Sequence, residues 1–403
     1  MSKRVAILGA GIMGASLALM LARRGLDVFL FDREDSPVGR ASRWNEGKIH
    51  LGYLYAAAPT TSTAQAMIPG GLAFGRIVSD LIGGDVCGHA TREDDIFLVH
   101  RHSVVDVEAI RARFDAVDAL IRGHAEAGAY LADVSAARSR QLSRAELDEV
   151  SGSDDIVAGF EVPERSVDTQ WVADRFGDAL RAQEGLHLIL GTTVRRVTRA
   201  ECAGAGRWRV IGDPDLDVLF DFVVNALWEG RLEIDATAGL EPEHEWLHRY
   251  RLALFARTHA EVKARSALVC VGPFGDLKNY NGRDFYVSWY PTGLVAQGNG
   301  VTLESPVPLT AQQERRFVAD VIAGLGPLLP ATRRVLEAAE SIDVRGGFVF
   351  ASGSGSLADP GASLHRRDRF GVRRMGSYFS VDTGKYSTAP WLAARLAQEI
   401  SNY

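Results

Sequence analysis

Three glycines and one acid near the start of the chain form the clearest chemical pattern: Gly9-x-Gly11-x-x-Gly14, with Asp32 18 positions after Gly14. Gly9 allows a tight turn, Gly11 lets backbone approach a pyrophosphate, and Gly14 permits a helix to pack closely on a sheet. Ile12 and Met13 lie at the start of that helix, whose N-terminus offers N–H groups and a positive dipole end to phosphate oxygens. Asp32 falls where a ribose hydroxyl needs an acceptor. The chemistry is that of gripping the ADP half of a dinucleotide. By itself it permits NAD, NADP with an altered acid, or FAD.

Positioning these residues takes a strand, a turn, a helix and a second strand. Val5 to Leu8 form a short apolar strand, Ala15 to Arg24 read as helix with Gly25 just past its end, and Val28 to Phe31 form the next strand. All of this falls within about thirty residues, the context in which the glycine motif gains meaning. Lys3-Arg4 followed by uncharged residues from Val5 to Ala22 could imitate a signal peptide or membrane span. The three glycines, the marginal length and the strand ending in Asp32 argue against that.

Downstream, a glycine- and aromatic-rich loop (Gly39 to Pro59) precedes a helix predicted from about Thr63 to Ile82 and a strand from Asp95 to His100. Helical spacing recurs from Val104 to about His124, Ser143-Arg-Ala-Glu146 is a capping-box pattern, and Asp168 to Ala182 is a further helix. Strands are predicted at Leu186 to Leu190, Thr193 to Val197, Trp208 to Ile211 and Asp221 to Ala226. β-type segments follow at Arg251 to Ala256, Ala267 to Val271, Phe285 to Tyr290 and Leu294 to Gly298, then helices at Ala311 to Leu325 and Pro330 to Glu340. A strand at Tyr378 to Val381, a glycine-containing turn and a helix from Ala389 to Ile400 close the chain. The expected architecture is α/β: a Rossmann-like nucleotide domain from residues 1–85, 155–230 and 341–403, and a discontinuous α+β substrate domain on an antiparallel sheet from 86–154 and 231–340.

With 403 residues, 46% hydrophobic and 24% charged, the chain has the composition of a soluble globular protein of two domains. A net charge of −6 disfavours a nucleic-acid partner and leaves small molecules as the expected ones. Cys87, Cys202 and Cys270 are too far apart to suggest a zinc site or a disulfide framework, so no metal is expected and a reducing cytoplasm fits. No integral membrane segment is expected.

Four separated segments resemble flavoproteins of the D-amino-acid oxidase type, a family that includes glycine oxidase, sarcosine and dimethylglycine oxidising enzymes, glycerol-3-phosphate dehydrogenase and L-2-hydroxyglutarate dehydrogenase. They are the Gly9 to Asp32 unit with Arg33 following, Gly39-Arg-Ala-Ser-Arg-Trp-Asn-Glu-Gly-Lys-Ile-His-Leu-Gly-Tyr-Leu-Tyr55, Thr193 to Val197 with Val223-Val-Asn-Ala226, and Gly384-Lys-Tyr-Ser-Thr-Ala-Pro390. The resemblance implies FAD, held without a covalent bond. It places Arg40, Ala41, Ser42, Asn45, Glu46, Gly47 and Ile49 along the pyrophosphate, ribityl chain and flavin ring, and Val194 and Ala226 beside the ADP half. Gly384, Lys385, Tyr386, Ser387 and Thr388 would flank the ring's N1 and C2 edge, and Gly346 and Gly347 would form a turn close to it. Small residues such as Ala41, Ser42 and Gly47 suit such a role, because they let backbone donors approach a flat, polar-edged ring. One departure is that the family's Asn-Ala-Ala-Gly-x-Trp pattern is replaced by Asn225-Ala-Leu-Trp-Glu-Gly230, which implies a rebuilt turn at Leu227 and Trp228.

His50 has three readings: a histidine joined covalently to flavin as in the dimethylglycine and sarcosine branch, an unattached histidine near the active site as in the hydroxyglutarate branch, or a structural loop residue. The segment Asn45 to His50 is closer to the second, in which a neutral imidazole could act as base. The substrate's anionic end needs an arginine fork, for which Arg283 is the first candidate, with Tyr286 and Tyr53 as phenol donors. Arg373 and Arg374 are alternatives, and His365 is a further possible base. The implied function is an FAD-dependent oxidase or dehydrogenase that passes a hydride from a small amine, amino acid or 2-hydroxy acid to flavin, with oxygen or another acceptor reoxidising it. A flavin monooxygenase, or a flavin-binding protein without catalysis, are the alternatives.

Overall fold

Arg4–Leu8 (β1) alternates its apolar side chains between two cores, so the first sheet is covered on both faces. The computed structural model describes residues 3–200 and 207–403, and Cys202 lies outside the described residues. On one face Val5 and Ile7 pack with Val28, Leu30 and Val224 against helices, while on the other Ala6, Leu8, Phe31 and Val223 meet Val197, Trp208, Val210 and Phe220. This follows from the two-residue period of a strand.

The sheet has six strands in the order Gly371–Met375, Tyr378–Asp382, Phe222–Asn225, β1, Asp27–Phe31 (β2) and Leu186–Ile189. All are parallel except the edge strand Gly371–Met375. Helix Ile12–Ala22 (α1) is buried at every position but Met20, which explains why its sequence is apolar all round. It lies against the closing helix Ala389–Ser401, Thr169–Ala182 and the long helix Ser62–Ile82 (α2). The opposite face carries the antiparallel meander Thr193–Arg199, Trp208–Asp213 and Leu216–Phe220.

A second, nine-stranded sheet is antiparallel apart from the pairing of Asp95–His100 with Ala267–Cys270. Its longest ladder joins Trp246–Thr258 to Ala339–Ser352. Leu254, Ala256 and Val287 face a core with Phe317, Val321 and Leu325 of the helix Ala311–Leu325. Ala253, Phe255 and Tyr286, on the other face, pack with Trp44 of the glycine-rich loop. That second face therefore looks toward the nucleotide domain.

Two segments join the second sheet where the sequence places them elsewhere. Ile156–Val162 pairs with Asp95–His100, although 155–230 is expected in the nucleotide domain. The helix expected to run to Glu340 ends at Glu337, because Ala339–Ser352 is drawn into a ladder along the whole of Trp246–Thr258. Gly346 and Gly347 consequently lie inside a strand rather than in a turn. A Cβ on Gly346 would sit 2.1 Å from the Arg251 carbonyl oxygen, and one on Gly347 would sit 2.9 Å from the Ala41 Cα. Close backbone approach, not turn geometry, demands these glycines.

Candidate active site

A cleft runs between the two sheets from the C-terminal ends of β1 and β2 to the turn before the last helix. It is lined by Gly9, Gly11, Ile12, Met13, Asp32, Arg33, Arg40, Ala41, Ser42, Asn45, Glu46, His50, Val194, Ala226, Gly384, Lys385 and Tyr386, all of them residues that the sequence singles out. Gly9 has φ +96°, and a Cβ there would meet the Ala226 carbonyl oxygen at 2.9 Å. A Cβ on Gly14 would lie 1.9 Å from the Gly9 carbonyl oxygen, so Gly14 supports the turn from behind. The N-cap of α1 is Gly11, with no side-chain cap and no acid in the first turn, which leaves the helix N-terminus open toward the cleft.

Asp32 fastens the turn: its carboxylate accepts from the amide of Ala10 at 2.6 Å and from that of Glu34 at 2.9 Å. Ser42 Oγ accepts from the amide of Ile12 at 3.0 Å and ties the loop to the helix N-terminus. Asn45 shapes the loop, donating to the Ala41 carbonyl at 2.9 Å and accepting from the Gly47 amide at 2.8 Å. Arg33 and Arg40 share Glu229, at 2.7 and 3.4 Å, across the cleft's outer part. The rebuilt turn is held by Trp228, whose Nε1 donates to the Phe348 carbonyl at 2.8 Å. Leu227 and Trp228 both line the cleft.

Several expected residues stand behind the lining. Gly47 has φ +64°, and a Cβ there would fall 2.0 Å from the Val167 carbonyl oxygen. Ile49 is fully buried. The Thr388 hydroxyl bonds back to the carbonyls of Thr383 and Lys385, and Ser387 is buried with an unpartnered hydroxyl.

Two expected catalytic residues are elsewhere. Arg283 is half-exposed on the rim of the second sheet, donating to the Thr258 carbonyl at 3.0 Å, with Glu340 at 3.7 Å. It lies in the turn between Gly275–Asn279 and Asp284–Trp289 and is not part of the cleft lining. The Tyr53 hydroxyl is spent on Asp118 inside the nucleotide-domain core. Tyr286 lies on the site-facing side of the second sheet, within the field of Arg251 and Glu46. Arg373 pairs with Glu243 at 2.9 Å and Arg374 with Glu399 at 3.4 Å, while His365 Nε2 meets the Asp359 carbonyl at 2.8 Å.

The arginines gathered beside Lys385 at the inner end come from positions the sequence reading passed over. Arg249 and Arg251 sit two residues apart on Trp246–Thr258, hence on one face, opposite Val349 and Gly347. Val349 lines the cleft and Gly347 abuts Ala41, so this is the face that looks into the site. Arg249 donates to the Tyr290 hydroxyl at 3.0 Å, and Arg251 donates to Ser288 Oγ at 3.2 Å with its guanidinium 4.7 Å from the Tyr290 ring centre. Arg367, buried nearby, donates to the Phe350 carbonyl at 3.1 Å. An Arg-x-Arg pair within an apolar strand was the available signal for the first two.

Electrostatics follow from this crowding of cations. Burial and the neighbouring Arg367 push the Lys385 ammonium down to about 7, against the pull of Glu46. Burial and the charges of Lys385, Lys48, Lys278 and Arg367 hold His50 well below its usual range, so the imidazole is neutral at pH 7. Its Nδ1 has no partner. Beneath His50 lies a fully buried network in which Lys48 contacts Asp95 and, at 3.3 Å, Glu164. Lys278 reaches Asp95 at 2.6 Å, and Glu164 accepts from the amides of Leu51 and Gly52 at 2.5 and 3.0 Å. This network clamps the backbone just after His50 to the second sheet.

A family model described as DAO, FAD dependent oxidoreductase, matches residues 4–339. A D-amino acid dehydrogenase of Rhizorhabdus wittichii is 41% identical over 64 residues, which is 16% of this chain and 15% of that relative's length. Among solved structures, glycine oxidase from Geobacillus kaustophilus superposes with a TM-score of 0.68 at 16% identity, covering 99% of this chain and 95% of the other. Iminodiacetate oxidase from a Chelativorans species gives 0.67 at 19% identity, over 99% and 95%. An L-α-glycerophosphate oxidase from Mycoplasma pneumoniae with FAD bound gives 0.67 at 14% identity, over 100% and 95%. At these identities the structural likeness is one of fold.

Proposed function

The chain belongs to the DAO family of FAD-dependent oxidoreductases, and from that premise we propose that it oxidises a small amine, amino acid or 2-hydroxy acid bearing a carboxylate, with the cofactor held non-covalently. The cleft fits FAD: a helix N-terminus with no acid in its first turn suits the pyrophosphate, Gly11 brings no side chain there, and the lining continues past Ser42 to Lys385 and His50. FAD when bound supplies the acceptor for two electrons and a hydrogen. The observation that carries the reading is the cation-rich inner end, where Arg249, Arg251 and Arg367 act on Lys385, and Lys385 and Arg367 in turn act on a neutral histidine, His50.

The chain's own residues then have defined tasks. Arginine forks hold the substrate carboxylate and so orient its C–H bond toward the flavin ring. His50 Nδ1 accepts the proton released from the substrate's N–H or O–H as the C–H hydrogen leaves with its electron pair, giving an imine or a ketone. Lys385, pushed down to about 7, is the competing proton acceptor. Oxygen or another acceptor takes the electrons in the second half of the cycle. His50 is 1% exposed and packs 5.6 Å from the Tyr55 ring, ring centre to ring centre, which suits a wall residue better than an attachment point.

Anaerobic mixing of the yellow holoprotein with a panel of amino acids, amines and 2-hydroxy acids tests the reading: bleaching by at least one carboxylate-bearing member is expected, and no bleaching across the panel refutes it. Acid precipitation tests the attachment. Colour in the supernatant is expected, and colour retained in the pellet overturns the non-covalent assignment.

A further inference from the structure

Lys385 lines the inner end of the cleft, and Arg249, Arg251 and Arg367 gather beside it, more positive charge than one carboxylate needs. Arg249 and Arg367 are 3% and 9% exposed, and Arg251 and Lys385 are half-buried beside them. Among the described residues none of the four has an acid within ion-pairing distance, in a protein whose other buried cations, Lys48, Lys278 and Arg231, are all paired. The acids nearby do not cancel them. Glu46 faces Lys385 and Arg251. Asp276 is drawn upward by burial and accepts from Ser288 at 2.5 Å. Asp382 is engaged by Arg231 at 3.5 Å and by the amide of Gly384 at 2.9 Å.

Hydrogen-bonding capacity tells the same story. Each guanidinium has five N–H donors. Arg249 uses one on Tyr290, Arg251 uses one on Ser288, and the Nε atoms of both are buried without a partner. Like charges held together in a low-dielectric interior with unused donors oppose folding unless an anion joins them. Such an arrangement is retained where the anion is a ligand.

We propose that the substrate carries two carboxylates, one held by Arg249 with Arg367 and the other by Arg251. Tyr290 sets the spacing: its hydroxyl takes a bond from Arg249 while its ring lies under the Arg251 guanidinium. The two arginines leave the strand about 6.6 Å apart, two residues at the strand rise, so their forks address different parts of one small molecule. Two planar forks set apart along the strand match two separate carboxylates, each taken bidentately. Glu46, across from Lys385 and Arg251, bars a third anionic group and leaves room for a neutral or cationic centre carrying the C–H to be oxidised. This inference rests on the oxidation reading for the role of that centre, but binding tests it separately.

The experiment is calorimetric titration of the holoenzyme at pH 7.5 and matched ionic strength with glutarate, pentanoate and inorganic phosphate, none of them oxidisable at an amine or alcohol carbon. Glutarate is expected to bind at least about tenfold more tightly than pentanoate, the equivalent of one further charged contact. In Arg249→Gln and in Arg251→Gln that ratio should fall toward one, with flavin content and circular dichroism confirming the fold. Glutarate no tighter than pentanoate on the wild-type holoenzyme overturns the proposal without any variant, as does phosphate binding more tightly than glutarate. Selective glutarate binding by a protein whose flavin no acid bleaches supports the two-carboxylate site and refutes the oxidation reading instead.

Discussion

Replacing Asp95 by Asn places the largest stability effect far from any exposed surface. Asp95 is fully buried and is the shared anion of Lys48 and Lys278, themselves 3% and 0% exposed. The substitution keeps the shape and removes the charge, leaving two buried ammonium groups with Glu164, 3.3 Å from Lys48, as the remaining ion-paired acid. Removing one partner of a buried pair costs about 3–5 kcal/mol, set against total stabilities of about 5–15 kcal/mol. We expect about 3 kcal/mol, because the Asn carbonyl can still accept one hydrogen bond. Adding Lys278→Met should recover part of the loss by removing the orphaned cation. The effect must also depend on pH. Burial alone would raise the Asp95 carboxyl, but Lys278 and Lys48 outweigh it and hold the group below its ordinary value. Its contribution is therefore present above the unfolded value near 3.9 and is lost as pH falls through the lower, folded one. Denaturant unfolding of the apoprotein at pH 7 and at progressively lower pH is the assay. A destabilisation under 1 kcal/mol at pH 7 would refute the reasoning, as would a loss that persists unchanged in acid.

The other predictions concern the cofactor grip, the rim and the inner cations. Gly14→Ala puts a Cβ 1.9 Å from the Gly9 carbonyl oxygen, so the purified variant should show a severely reduced flavin-to-protein absorbance ratio, and a normal ratio would contradict the packing argument. Arg283→Ala, at a half-exposed position bonded to the Thr258 carbonyl, should leave kcat/KM within about twofold of wild type and stability within about 1 kcal/mol. Anion affinity should decline as pH rises through about 7, where the Lys385 ammonium gives up its proton. Lys385→Met should flatten that profile; an unaltered pH dependence in the variant would exclude Lys385 as its source.

The elements of this fold were legible where pattern and punctuation agree. The strand Asp95–His100, the strand Leu294–Gly298 and the helix Ala311–Leu325 lie where periodicity places them, and Ser143 with Glu146 forms the capping box its spacing implies. The cleft lining from Gly9 to His50 was legible too, because a glycine turn and a small-residue loop announce themselves locally. Ala339–Ser352 was not: its β character comes from a partner strand about ninety positions away in sequence, and no local signal reports that pairing. Arg283 stood out in the sequence and Arg251 did not, although residue type and neighbouring aromatics are common to both. The difference is which face of which strand each occupies.

Sequence alone determined the dinucleotide turn, because Gly9, Gly11, Gly14 and Asp32 act through backbone geometry within one short unit. It also determined most of the strands and helices that carry the cleft. Tertiary structure decided the charge of the inner site. Arg249, Arg251, Arg367 and Lys385 come from three distant segments, and each is an ordinary basic residue until the long ladder and the last turn bring them together away from water. Burial and proximity shift a lysine and silence a histidine, and both are properties of the folded arrangement rather than of any residue in it.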